Sequence, residues 1–273
     1  MRSDVYYLVR TSDESTDKIE GSVVWCKWTN HEILVLLIKR ILTYFGDSVD
    51  ENTLMKTPQL HLRFHLERVM ESTFSGRGKW ENVYMYKILM SLIRKRPRDL
   101  VKLCSLAAQQ AQQTNSPLIK TEHFQAIFEE YSQGRIQDTI NEYKSELPNI
   151  ENLLFGMRPT KKQRNASDGY IYTTAELIQK LNNIRQHTNF IFKNGRKASA
   201  NELAQFLYKI NFLTARKIVE SGEIQRKYFE ENRYISSSFV DFGYDWEVHP
   251  AFRWVLQPEN INEIFNKLAL SHD

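Results

Sequence analysis

The chain has 273 residues, of which 41% are hydrophobic, and its 37 Lys and Arg against 33 Asp and Glu give a formal net charge of +4. This length can bury the cores of two modules, while so balanced a charge gives little global indication of nucleic-acid binding. The longest apolar run, residues 33–38, is far too short to span a membrane, and no signal-peptide pattern begins the chain. Cys26 and Cys104 lie in apolar contexts typical of reduced thiols. We expect a cytoplasmic protein without membrane partners.

The first half of the chain predicts a few strands followed by a helical bundle. Residues 5–9 and 23–28 have the composition of short strands, which makes residues 1–29 the remnant of a sheet. Asn30 is suited to cap a helix. Apolar side chains then recur at helical spacing in four segments, residues 30–46, 58–70, 82–94 and 97–113. Four helices with such connections predict a compact bundle over residues 30–115.

Residues 116–155 predict connecting helices, and residues 156–169 predict a linker. Ser116-Pro117 ends the bundle, and a helix over residues 121–147 is expected to be interrupted near residues 132–135. The segment 156–169 has no apolar periodicity and is the predicted domain boundary.

Residues 170–273 predict a winged-helix-like domain. Thr173 or Thr174 is suited to cap one helix, and Ser199 with Glu202 forms a capping box for a second. The predicted element order continues with a short helix over residues 214–220, an aromatic hairpin over 224–246 and a closing helix over 258–270. The predicted fold class is mainly α with a small β component.

A basic region in this last domain indicates a possible nucleic-acid interface. Between residues 171 and 217, eight Lys and Arg face only Glu176 and Glu202. Such a region could neutralise several phosphates, although it could equally dock on the acidic preceding helix or remain a solvated face. The predicted nucleic-acid-binding residues are Lys193, Arg196, Lys197, Asn211, Thr214, Arg216 and Lys217.

The segment Arg94-Lys95-Arg96-Pro97-Arg98-Asp99 joins two predicted helices and gathers cations there. Pro97 fits the first turn of a new helix, because it lacks an N–H and its φ is fixed. Such a joint can hold a phosphate. The alternative is that Asp99 and the arginines merely complement the two helix dipoles.

Several short motifs resemble bacterial P-loop ATPases related to the KAP and STAND groups. Arg96-Pro97-Arg98-Asp99-Leu100 is similar to a segment of their helical lid, and Met1-Arg2-Ser3-Asp4-Val5 to the end of their sensor-1 strand. Other positions also resemble these ATPases: residues 21–41, Tyr131, Ser132, Asp138, Glu142, Tyr143, and His249-Pro250-Ala251-Phe252. The resemblance implies a helical lid bundle followed by a winged-helix-like domain. It also implies that Arg98 is a sensor-2-like residue, with Arg96 and Arg2 as further nucleotide-sensing candidates.

The chain lacks the motifs that an ATPase needs for catalysis. The nearest approach to a Walker A loop, residues 75–80, places Trp80 where a hydroxyl must hold magnesium, and no Walker B pattern is present. We therefore expect no enzyme, no catalytic residue, no metal site and no cofactor in this chain alone, with ATP and Mg²⁺ bound if a separate core is present. The expected partners are a P-loop ATPase core or further copies of the chain, with DNA as a further candidate, in DNA repair or phage defence. A standalone winged-helix DNA-binding protein and an interaction scaffold remain alternatives.

Overall fold

The computed structural model of the protein describes residues 28–160, 169–219, 224–231 and 243–256. Of these residues, 57% are helical and 13% belong to small antiparallel sheets, which confirms a mainly α fold with a small β component. The strand predicted over residues 5–9, the helix predicted over 258–270 and all but the last residue of the strand predicted over 23–28 lie outside the described residues; Trp28 itself is not in a strand. None of the described helices is long and apolar enough to cross a membrane.

The bundle begins with helices α1 (Asn30–Tyr44), α2 (Glu51–Lys56) and α3 (Gln59–Leu66). The cap of α1 is Thr29, one residue before the predicted Asn30. Its hydroxyl accepts a hydrogen bond from the Glu32 backbone N–H (3.1 Å), and the Glu32 carboxylate accepts one from the Thr29 N–H (2.7 Å). This capping box satisfies two amides that the helix leaves free.

A two-stranded sheet of β1 (Thr73–Ser75) and β2 (Glu81–Tyr84) precedes α4 (Met85–Leu92). The helix predicted over residues 82–94 is therefore wrong over its first turn. Asn82 has a φ of 57°, which no right-handed helix accommodates, and Val83 pairs with Phe74 across the sheet. The pairing carries Phe74 and Trp80 into the core, where both are buried.

The long helices α5 (Pro97–Gln113) and α6 (Thr121–Tyr143) pack together, and α7 (Ile150–Gly156) follows. The predicted helix after Pro97 is confirmed. The interruption predicted at residues 132–135 is wrong, because α6 runs through it. Ser132 and Arg135 are buried there with partners: the Ser132 hydroxyl accepts from the Val255 N–H (3.1 Å), and Arg135 binds Asp99.

The C-terminal unit contains β3 (Ile171–Tyr172), α8 (Thr174–His187), α9 (Ala200–Lys209), β4 (Leu213–Ile218), β5 (Ile224–Lys227) and β6 (Asp245–Val248). The sheet is antiparallel in the order β3-β6-β4-β5. The helix predicted over residues 214–220 is wrong for residues 214–218, which form β4 between two partner strands. Alternation places Leu213 and Ala215 on one face and Thr214 and Arg216 on the other. Of the hairpin predicted over residues 224–246, residues 232–242 lie outside the described part. Its two described strands, β5 and β6, each pair with β4 and not with each other.

Two clusters of buried apolar residues share helix α6. The first cluster includes Phe124 and Tyr131 of α6, and the second begins at Ile136. The final described helix, α10 (Arg253–Leu256), also contributes to both, because Trp254 packs in the first cluster and Leu256 in the second. The division into domains at residues 156–169 stays a prediction, since residues 161–168 lie outside the described part.

Candidate functional site

The α4–α5 junction is built around one buried carboxylate. Asp99 is buried in the first turn of α5, where it accepts bonds from Arg94 Nε (2.8 Å) and Arg135 NH1 (2.6 Å). Burial alone would raise the pKa of Asp99, but Arg94, followed by Arg135, outweighs it and holds that pKa well below its usual range. The two arginines therefore keep Asp99 ionised and fix the start of α5.

Arg94 and Arg135 connect Asp99 to α6 and to the residue just before α10. Arg94 is 3% exposed, and its NH1 donates to the Thr139 hydroxyl of α6 (3.0 Å). Its guanidinium also lies 5.2 Å from the ring centroid of Phe252, just before α10. Arg135 binds a second carboxylate, Asp138, at 2.8 Å. The junction thus joins the bundle to the middle of α6 and to the C-terminal unit.

The next two cations of the junction also have acidic partners. Lys95, which has a left-handed φ of 50°, pairs with Glu231 and lies 5.1 Å from the Tyr228 ring centroid. Arg96 NH1 lies 3.2 Å from a Glu142 oxygen. Burial opposes the charge of Arg96, but nearby Glu142 raises the pKa of its guanidinium overall. Both residues therefore tie the junction to other elements.

Arg98 differs from its three cationic neighbours. It is exposed at the second position of α5, and within the described part of the chain no carboxylate pairs with it. Lys102, one turn later, is also exposed on this face. The structure therefore separates the predicted nucleotide-sensing residues, because Arg98 is available at the surface while Arg96 binds Glu142. Arg2 lies outside the described residues.

The predicted nucleic-acid-binding residues fall into two groups. Lys193, Arg196, Lys197 and Lys217 are exposed. Asn211, Thr214 and Arg216 are buried, which removes them from a surface that DNA could contact. Asn211 donates to Glu230 at 2.9 Å, and Arg216 faces Glu247 at 3.9 Å. Thr214 and Arg216 are buried because they belong to the strand β4, which replaces the expected recognition helix, and Asn211 lies in the turn before this strand.

Three of the exposed residues belong to a short hairpin over residues 190–198, here called the basic hairpin. Its ends are joined by a bond from the Ala198 N–H to the Phe190 carbonyl (2.9 Å), and its turn by Gly195, whose φ is 79°. The Lys193 N–H donates to the Glu146 carbonyl (2.9 Å), which fixes the hairpin beside the end of α6. The hairpin therefore holds Lys193, Arg196 and Lys197 at one surface.

A second buried carboxylate lies on the polar face of the C-terminal sheet. Glu247 accepts from Arg226 Nε (2.7 Å) and also pairs with Arg253. Burial would raise the pKa of Glu247, but Arg226 and Arg253 lower it to about 2. No group of three or more His, Cys, Asp or Glu within the described ranges could hold a metal ion. Glu247, Arg226 and Arg253 form a buried ionic group, here called the ionic core.

His249 lies beside this ionic core and is neutral. Its Nδ1 accepts from the Ala251 N–H (3.1 Å), so that Nε2 carries the proton and donates to the Tyr228 hydroxyl (3.1 Å). Burial first, then Arg226 and Arg94, lower the pKa of His249 to about 3. His249 is fully buried and therefore packs inside the C-terminal unit.

We expect this histidine to make folding sensitive to mild acid. The unfolded chain takes up a proton near pH 6.5 while the folded chain does not, so stability is lost as the pH falls below 6.5. Between pH 6.5 and about pH 5 the loss should be about 2 kcal/mol. Urea unfolding at both pH values measures it. His249→Asn, whose amide oxygen can still accept from Ala251, should remove most of this pH dependence, and an unchanged slope would contradict the assignment.

Sequence reasoning missed Arg135, Glu247 and Arg253 as members of buried ionic groups. A signal for Arg135 was present, because Tyr131, Arg135 and Thr139 recur at four-residue spacing among the apolar positions of α6. Charged residues on an inward helical face need buried partners. The partner itself, Asp99, is 36 residues away and could not be read from local spacing.

One comparison with known proteins identifies part of the bundle. Residues 59–140 match the family model of the FunZ-associated C-terminal helical domain. The matched residues run from α3 into α6 and include Arg94, Arg98, Asp99 and Arg135. No curated protein and no solved structure matches the chain. The match describes a helical part that stands at the C-terminal end of a larger protein, and the relation to P-loop ATPases stays a prediction.

Proposed function

We propose that this chain is the C-terminal lid and regulatory part of a P-loop ATPase, in which Arg98 contacts the phosphates of ATP bound by the ATPase core. The observation that carries the proposal is the difference between Arg98 and its neighbours. Arg94, Lys95 and Arg96 are each neutralised by a carboxylate, whereas Arg98 is exposed and no described carboxylate pairs with it. A guanidinium in that state can give its full charge to an incoming phosphate.

The surroundings of Arg98 fix the backbone from which its side chain extends. Pro97 restricts the backbone on one side, and Asp99 is anchored by two arginines on the other. Electrostatic stabilisation is most effective when the charged group needs no reorganisation as the ligand arrives. In this proposal ATP and Mg²⁺ are bound by the core, and the present chain supplies no catalytic residue.

The same junction supplies a route from the nucleotide to the C-terminal unit. Lys95 contacts Glu231 and Tyr228, and Arg94 contacts Phe252. A shift of the α4–α5 junction on nucleotide binding would therefore displace ion pairs in the C-terminal unit. This is the type of change by which a lid reports nucleotide state.

We expect Arg98→Ala to weaken ATP binding by the complete protein, produced together with its P-loop core. Loss of a charge-assisted phosphate contact should raise the ATP dissociation constant about tenfold. Fluorescence anisotropy of a labelled ATP measures this constant. Arg40→Ala is the matched control, because Arg40 is likewise exposed, in α1, and should bind ATP like the wild type. Equal affinity of the Arg98 and Arg40 variants would reject the proposed contact.

A second candidate function, binding of DNA, is supported by the basic hairpin. Lys193, Arg196 and Lys197 are exposed on one turn, and only Arg196 has a carboxylate partner there among the described residues, Glu202 at 2.5 Å. Contacts of this kind bind the phosphate backbone without reading its sequence. The hairpin could act in the same ATPase or in a standalone DNA-binding protein.

We expect a double substitution, Lys193→Ala with Lys197→Ala, to weaken binding to a fluorescein-labelled DNA duplex at low salt. The loss of two phosphate contacts should reduce the slope of log affinity against log salt by about two. Lys56→Ala with Lys87→Ala, two exposed lysines of the helical bundle, provides the control and should leave the slope unchanged. Absence of duplex binding by the wild type would exclude this function and leave the interaction scaffold as its alternative.

A further inference from the structure

Large apolar side chains are exposed at one end of the first three helices. Tyr44 is 84% exposed, Phe64 54%, Leu60 46% and Phe45 42%. Scattered exposed apolar residues are ordinary, but a contiguous group is typical of an interaction surface. These four residues and Arg68 are here called the aromatic strip.

The members of the aromatic strip lie on two helices that pack together, α1 and α3. Leu60 and Phe64 are one turn apart on one face of α3, and Arg68 follows two residues after this helix ends. The Arg68 guanidinium lies 3.9 Å from the Phe45 ring centroid, and the Phe45 and Tyr44 rings meet edge to face at 5.2 Å. The strip therefore runs from the first turn of α3 to the end of α1.

The charged groups along the aromatic strip are already paired. Arg68 pairs with Asp47, Arg63 lies 3.4 Å from Glu67, and Lys39 pairs with Glu51. A surface for a polyanion needs cations in excess of acids, as at the basic hairpin. The neutral, mixed charge of this surface instead suits a protein partner of the same mixed charge.

We infer that the aromatic strip is the interface between two copies of this chain. A twofold interface must complement itself, and an apolar centre flanked by an ion pair does so. The Arg68–Asp47 pair of one copy can lie antiparallel to the same pair of the other copy, so that each charge also faces its opposite across the interface. The strip exposes on the order of 400 Å² of apolar surface. A standard interface uses roughly 800 Å² per partner, so the strip supplies an apolar centre and its paired charges supply the rim.

Sedimentation equilibrium of the full chain tests this interface. The wild type is expected to dimerise, and Phe64→Glu or Leu60→Glu should raise the dimer dissociation constant at least about tenfold. Because both residues are exposed, neither substitution should unfold the chain, and circular dichroism checks this. Ile218→Glu is the control, since Ile218 is 59% exposed on β4 and should leave dimerisation unchanged.

A charge exchange distinguishes a twofold interface from other self-association. Arg68→Asp and Asp47→Arg should each weaken the dimer alone, because each brings like charges together across the interface. An equal mixture of the two variants should restore dimers, since each new charge then meets its opposite in the other copy. A wild type that remains monomeric up to about 100 µM overturns the inference. Dimers that survive both glutamate substitutions, or a mixture that fails to recover, overturn it as well.

Discussion

Asp99→Asn is expected to lower the free energy of unfolding by about 3–5 kcal/mol, the cost of breaking a buried ion pair on one side. The substitution keeps the size of the side chain but removes the charge that neutralises Arg94 and Arg135, both of which are buried. It also places an amide NH₂ against guanidinium donors, so that at least one donor loses its acceptor. Urea unfolding followed by circular dichroism measures the loss.

Asp138→Asn provides a matched control for this experiment. Asp138 binds the same arginine, Arg135, at 2.8 Å, but its side chain is 54% exposed. Water screens that pair, and its loss should cost no more than about 1 kcal/mol. If the two variants were equally stable, Asp99 could not be the anchor of the α4–α5 junction.

Trp254→Ala should destabilise the protein by about 3–5 kcal/mol, the range for removing a large buried aromatic side chain. Trp254 belongs to α10, yet its ring stacks on Phe128 at 4.6 Å and lies 6.2 Å from Trp80 in the bundle. The substitution therefore leaves a cavity where the C-terminal unit enters the first apolar cluster. We expect a single unfolding transition that shifts as a whole, because α10 joins the two clusters through Trp254 in the first and Leu256 in the second.

Trp28→Ala is the corresponding control at an exposed tryptophan. Trp28 is 44% exposed, so its removal should cost less than about 1 kcal/mol. Differential scanning calorimetry of both variants would show the contrast. A separate early transition for the C-terminal unit in Trp254→Ala, with the bundle unaffected, would contradict the shared core.

Local signals in the sequence predicted the start of α5 correctly, because they reside in consecutive residues. Pro97 fits the beginning of a helix and cannot continue the preceding one. Of the three residues that follow, Arg98 lies at the surface, and Asp99 and Leu100 lie in the core. Local signals gave the wrong element at residues 214–218, where a helix was predicted and a strand is found. There the local pattern fits either a helix or a strand, and pairing with residues 224–227 and 245–248 decides the outcome.

Long-range ionic partners were beyond local analysis. The cations around Pro97 were interpreted either as a phosphate site or as complements of the two helix dipoles. In the structure Arg94 turns inward to Asp99 and Thr139. Arg96 is held by Glu142, which is 46 residues later. The tertiary packing shows that these cations have carboxylate partners, whereas no carboxylate in the described part of the chain pairs with Arg98.

The most direct test of the proposed function compares ATP with ADP in the complete protein. If Arg98 contacts the terminal phosphate, the wild type should prefer ATP, and Arg98→Ala should reduce the ratio of ATP to ADP affinities by about tenfold. Isothermal titration calorimetry with both nucleotides gives the two constants. An Arg98→Ala protein that keeps the wild-type ratio would contradict the proposal.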